Sequence, residues 1–358
     1  MSKDTLRIGC ASGFWGDTEF SAAQLVKHGE IDVLVFDYLA EITMSLLIRA
    51  KAKDPALGYA PDFVATIKPL LKDIQARGIK VIANAGGVNP SACRDALVAA
   101  ALAEGVDLKI AAVLGDDLML QVEAMRAGGV KEMFSGAAFP QKVMSANAYL
   151  GAFPIAAALS AGADIVVTGR CVDSAVTLAP LIATFGWQEG DLDRLAQGSL
   201  AGHLIECGTQ TTGGNYTDWQ SVPGWDDMGF PIAECRADGS FVITKPPRTG
   251  GLICPSTVGE QMLYEIGDPR AYILPDVVCD FTQVTLRQAG ADRVEVKGAR
   301  GLPPTDQAKV SITHADGFRA LSLFMIGGID AGAKAHRAGA AMLGPMRLHY
   351  AERGWPDF

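Results

Sequence analysis

Asp37, Glu41, Asn84, Asp117, Asp173 and Glu206 are the residues of this chain whose types and positions suit catalysis. Carboxylates can divide into proton donors and proton acceptors once burial and mutual repulsion separate their pKa values. Asn84 could orient a carbonyl or hold a developing oxyanion. Arg170 lies three residues before Asp173 and carries the planar fork that suits a carboxylate or phosphate. It could equally close a structural ion pair with Asp173. Cys171 is a weaker candidate, a nucleophile by type but more commonly a small buried filler in such a position. His203 and Glu206 are three apart in a helical stretch and could share a face. Two ligands do not make a zinc site, and no metal is expected.

A second group could hold the substrate. Ser174 closes the Arg170–Asp173 stretch, and Lys245 ends an apolar run before two prolines. Gly86-Gly87, Gly213-Gly214 and Gly250-Gly251 could offer backbone N–H groups to an anion. The last two pairs would serve as well in tight turns. No G-x-x-x-x-G-K-[ST] occurs, and no G-x-G-x-x-G follows the first strand, so no nucleotide cofactor is expected.

The elements that must position these residues are short β-branched runs followed by helices. Strands are expected at 7–11, 31–36, 79–83, 108–114 and 164–168. Helices are expected at 18–28 with Asp17 as N-cap, at 62–77 closed by Gly78, from Asn89-Pro90 to Glu104, and from Asp117 to about Ala127. Further helices are expected at 149–161, from Ser174 to about Phe185, and from Asp191 to about Cys207. A helix after Asp37 would put Asp37 and Glu41 on one face. Gly169 is expected to let the chain turn sharply after the fifth strand. Five strand–helix units in a row imply a parallel sheet, either doubly wound or part of a barrel. Polar clusters after parallel strands share one carboxyl edge, which is where such sheets bind ligands. From Phe230 the pattern alternates, with an Asp238-Gly239 hairpin and strands near 294–297 and 309–313, then a helix at 332–341. The fold class is therefore α/β, a mostly parallel sheet with helical crossovers over residues 1–225, then a smaller α+β part with antiparallel strands over 226–358.

Composition narrows the function. A net charge of −9 over 358 residues excludes a basic nucleic-acid-binding surface. No apolar run is long enough for a membrane span, and the first residues lack a signal-peptide core. Seven scattered cysteines, never spaced C-x-x-C, suit a reducing cytoplasm. A homo-oligomer is expected from the many apolar and glycine positions.

The segments IGCASGFWGD, DYLAEITM, NAGGVNP, GADIVVTGRCVDSAVTLAPL, LAGHLIECGTQTTGGNYTDW, GFPIAE, ITKPPRTGGLICPSTVGEQMLYEIGDP and LPDVVCDF occur in this order. In them the chain resembles the acyclic terpene utilisation AtuA family over nearly its whole length. The resemblance implies a role in catabolism of acyclic terpenes, beside acyl-CoA carboxylases, dehydrogenases and hydratases. It carries no catalytic residues with it. The expectation is a lyase-type enzyme acting on a small branched carboxylic acid or its acyl-CoA thioester. Its rivals are a non-catalytic acyl-CoA-binding or assembly subunit for a carboxylase, and a thioester or lactone hydrolase using Cys171.

Overall fold

The computed structural model of the chain describes residues 4–317 and 321–356. Residues up to Ala315 form one compact unit, and the chain from Asp316 onward forms a second. In chain order the first unit runs β1 (Thr5–Cys10), α1 (Ser21–His28), β2 (Val33–Phe36), α2 (Glu41–Lys53), α3 (Pro61–Ile67), α4 (Leu71–Arg77), β3 (Lys80–Ala83), α5 (Pro90–Glu104) and β4 (Ile110–Val113). It continues with α6 (Val122–Ala127), β5 (Val143–Ala148), α7 (Phe153–Ser160), β6 (Ile165–Thr168), α8 (Ala175–Phe185), α9 (Leu192–Ile205), β7 (Ile232–Arg236) and β8 (Phe241–Thr244). Then follow α10 (Pro255–Leu263), β9 (Tyr272–Ile273), β10 (Val278–Asp280), β11 (Thr285–Gly290), β12 (Arg293–Lys297), β13 (Arg300–Leu302) and β14 (Val310–His314). The second unit holds α11 (Ala331–Glu352).

Nine strands make one open sheet in the order β11-β12-β8-β7-β1-β2-β3-β6-β4. The five strands from β1 to β4 in that order pair in parallel. Beyond β1 the sheet turns antiparallel through β7, β8, β12 and β11. Alternation along each central strand feeds two cores. Val33, Val35, Ile82 and Val166 face one with Leu178 of α8 and Leu200 of α9. Leu34, Phe36, Val81 and Val167 face the other with Leu25 of α1, Phe63 of α3 and Leu97 of α5. The sheet is thus covered on both faces, as its continuous apolar strands require, and it does not close into a barrel.

Several expectations are corrected. The helix expected over 62–77 breaks into α3 and α4 around a 3-10 turn at Lys68–Leu70, because Pro69 lacks an N–H for the helical ladder. No helix joins Asp37 to Glu41: α2 begins only at Glu41, so the two carboxylates do not share a helical face. Asp17 does not cap α1, whose N-cap is Phe20; its Oδ2 accepts the Gly13 N–H at 3.0 Å instead. Gly169 does not adopt a left-handed backbone. It is needed for space, since a Cβ there would lie 2.4 Å from Asp116 Oδ2. The polar strand β5 stood outside every sequence signal. It pairs antiparallel with β14 in a separate two-stranded sheet. Residue 225 falls between strands of one continuous sheet, and the division into compact units comes after Ala315.

Candidate active site

The carboxyl ends of β2, β3, β6 and β4 deliver Asp37, Asn84, Arg170 and Asp116 to one rim. Asn84, fully buried, donates from Nδ2 to Asp37 Oδ1 at 2.5 Å and accepts the Tyr38 N–H on Oδ1 at 2.6 Å. A buried amide at a strand end must find such partners. Asp116 accepts the Arg170 N–H at 2.9 Å and the Asn147 side-chain amide at 2.8 Å. It thereby ties the end of β6 to β4 and β5. The turn after β6 is held further by Leu150, whose N–H donates to Arg170 O and whose carbonyl accepts from Val172.

Glu206 reaches the same rim from the C-terminus of α9. Gly202 makes this possible: a Cβ there would lie 2.8 Å from Ser174 Cα, so only glycine lets α9 come this close to the start of α8. The result is a cluster of Asp37, Asp173 and Glu206 whose carboxylate oxygens lie within 4.8 Å of one another. Asp37 and Glu206 are buried, and the Asp173 side chain is about one-third exposed. Burial, then repulsion from Asp173 and Glu206, pushes the Asp37 carboxyl well above the usual carboxylate range. Burial and the charges of Asp173 and Glu265 do the same to Glu206. The Arg170 guanidinium opposes both shifts. Three carboxylates so close can share protons, and their oxygens could also hold one divalent cation.

Arg170 is itself buried, and its Nε has no hydrogen-bond partner. Its Nη1 donates to Asp173 Oδ1 at 2.8 Å and to Leu39 O at 2.5 Å, and its guanidinium lies 4.0 Å from the centre of the Tyr149 ring. Lys309 stands 4.5 Å from the same ring. Tyr149 donates its hydroxyl to Glu41, which also pairs with Lys309 at 3.3 Å. Burial works against ionisation of Glu41, but the Tyr149 hydroxyl and the two cations outweigh it and hold the carboxyl at about 2. Glu41 is therefore a fixed negative charge beside the cluster, exposed and outside it.

Other expected residues lie elsewhere or carry other tasks. Asp117 is exposed and caps its own turn by accepting the Met119 N–H at 2.9 Å; its neighbour Asp116 is the buried one. Ser174 is buried as the N-cap of α8, without a side-chain cap bond. Lys245 sits on the same sheet edge at the end of β8, but its ammonium is taken up by Thr249 O at 2.8 Å and Asp292 at 3.1 Å. The N–H groups of Gly213, Gly214, Gly250 and Gly251 donate to Gln210, Thr209, Asp227 and Pro223 carbonyls, so these pairs build tight turns. Gly86 and Gly87 likewise donate to Thr168 O and Asn84 O. Gly87, Asn89, Leu114, Asp116, Asp117 and Asn147 line a cavity of about 250 Å³ beside the rim. Cys171 is buried, and burial raises its thiol well above its ordinary value, the reverse of an activated nucleophile. His203 does share a face with Glu206, with Nδ1 at 2.9 Å from Oε1, and burial lowers its pKa.

The motifs that meet here are the strand-end segments NAGG and TGRCVDS and the helix-end segment HLIECG. A family model described as acyclic terpene utilisation family protein AtuA matches residues 6–353. The chain belongs to this family. Comparison with curated proteins and with solved structures finds no match. In this AtuA chain sequence reasoning missed Tyr149, Asn147 and Lys309, which act through β5 and the segment before β14. Of the Asp116-Asp117 pair the expected catalytic member was Asp117, and Asp116 is the buried one. The doublet Asp116-Asp117 after a strand was the available signal, but which carboxylate turns inward depends on the backbone.

Proposed function

We propose that this AtuA protein is a catabolic enzyme that adds or removes water, or cleaves a carbon–carbon bond, on a branched carboxylic acid or its acyl-CoA thioester. The observation that carries the reading is the cluster of Asp37, Asp173 and Glu206, two of them buried, at the ligand-binding edge of a parallel sheet. In the dehydrating direction Asp173, the most accessible of the three, takes the proton from the carbon next to the carbonyl. The carbon–carbon double bond forms as the carbon–oxygen bond breaks. Glu206 or Asp37, held protonated by burial, gives its proton to the departing hydroxyl, which leaves as water. Hydration runs the same steps backward. Arg170 is a positioning residue in this reading: it fixes Asp173 and offsets the charge of the cluster rather than gripping substrate.

The test is incubation of the purified chain with a panel of branched enoyl- and 3-hydroxyacyl-CoA esters and the free acids. One substrate should turn over, and Asp173→Asn and Glu206→Gln should each lower kcat by about 10²-fold or more. No turnover, with specific acyl-CoA binding and co-purification with a carboxylase, would favour the assembly-subunit reading instead. Because the three carboxylates are also within reach of one cation, the assay run with EDTA and with added Mg²⁺ separates a proton relay from metal-assisted polarisation of the carbonyl.

A further inference from the structure

From Asp316 onward no described residue is buried. Leu321, Leu323, Phe324, Met325 and Ile329 are exposed, as are Met342, Leu343, Met346 and Leu348 of α11. So short a segment without a core does not hold itself folded, and apolar surface of this extent marks an interface. The helix is amphipathic. Ala335, Ala338, Met342, Met346 and Tyr350 recur at spacings of three or four, with Gly339 and Leu343 beside them, so they share one face. Lys334, Arg337, Arg347 and Glu352 lie off it.

We propose that this face is covered by the same face of a second copy of the chain, the two α11 helices packing antiparallel about a two-fold axis between Met342 and Leu343. An isologous contact must be self-complementary, and this one is. Reversal about that axis sets Ala335 against the partner's Tyr350, Gly339 against the partner's Met346, and Met342 against the partner's Leu343. Small meets large at each flanking step, which lets side chains interdigitate. Lys334 and Glu352 lie on the same flank of the face, so the ammonium of one copy meets the carboxylate of the other, twice per dimer. A parallel pair would instead set Gly339 against Gly339, leaving a void, and would leave Lys334 about five helical turns from the partner's Glu352. A lipid surface could also cover a cationic amphipathic helix, but fluid chains have no use for this small–large order. The rest of the molecule also disfavours an anionic membrane: residues 1–315 carry 26 Lys and Arg against 36 Asp and Glu, net −10, and residues 316–358 carry 5 against 4.

Sedimentation velocity of the full chain should give an even multiple of the 37.6 kDa of one copy. Met342→Glu should halve that mass, and Met342→Ala should weaken the assembly without disturbing the helix. Lys334→Glu should raise the dissociation constant about tenfold, and adding Glu352→Lys should restore it. All seven native cysteines precede residue 280, so Met342→Cys should form a disulfide-linked dimer across the axis on mild oxidation. A monomeric native chain overturns the proposal. So does an oligomer indifferent to both Met342→Glu and the charge reversal, or a monomer that sediments with anionic vesicles through the same helix face.

Discussion

Asp37 and Glu206 are 6% and 7% exposed, and each is pushed upward first by burial and then by neighbouring carboxylates. A carboxyl that keeps its proton in the folded chain, after the unfolded chain has released it, loses stability as pH rises above the ordinary carboxylate range near about 4. Glu206→Gln should therefore raise the melting temperature at pH 7 to 8, by a few degrees, and the gain should vanish toward pH 4. Scanning fluorimetry across that range reads it directly. If melting is unchanged at neutral pH, the carboxyl is not strained by its surroundings. Asn84→Ala should act in the opposite sense. It strips Asp37 and the Tyr38 N–H of a buried partner and should cost about 2 kcal/mol in urea unfolding. Arg170→Ala removes the cation from Asp173 and the cluster. Because Asp173 is partly exposed, solvent recovers some of the loss, and about 2–3 kcal/mol is expected rather than the full cost of breaking a buried pair.

Two glycines decide how elements meet at the rim. Gly169 leaves the end of β6 room for the Asp116 carboxylate, and Gly202 lets α9 press against the start of α8. Gly202→Val would push α9 outward and carry Glu206 away from Asp37 and Asp173. Its expected signature is a fall in activity like that of Glu206→Gln, together with a loss of about 1–3 kcal/mol from overpacking. Gly169→Ala should show the stability loss through Asp116. The β5 strand shows why elements of this site escaped the sequence. Val143–Ala148 reads VMSANA, and it is a strand only because β14 pairs along it, from more than 160 residues downstream. Tyr149 owes its place beside Arg170 to that pairing, and its N–H donates to Lys309 O at 3.0 Å.

At the scale of the molecule, the sheet continues through residue 225. β7, from the later part of the sequence, pairs along five positions of β1. A chain ending at residue 225 would expose that edge of β1 together with the apolar core beneath β7 and β8. Such a fragment should be insoluble or lack a cooperative melting transition by circular dichroism. A soluble, cooperatively folded 1–225 fragment would show that the parallel strands form a domain by themselves.

Local pattern determined the parallel β/α order and the strand ends that carry Asp37, Asn84, Asp116 and Arg170, because apolar runs and the turns after them are written in neighbouring residues. The common edge followed from that order, since parallel strands end on the same side. Tertiary structure alone decided which side chains meet. Helix α9 brings Glu206 to Asp37 and Asp173, Asp116 turns inward where Asp117 turns out, and Arg170 is spent on Asp173, Leu39 and Tyr149. Apart from the Arg170–Asp173 pair, which lies within one turn of sequence, these outcomes depend on close approach and burial between distant segments that no single window contains.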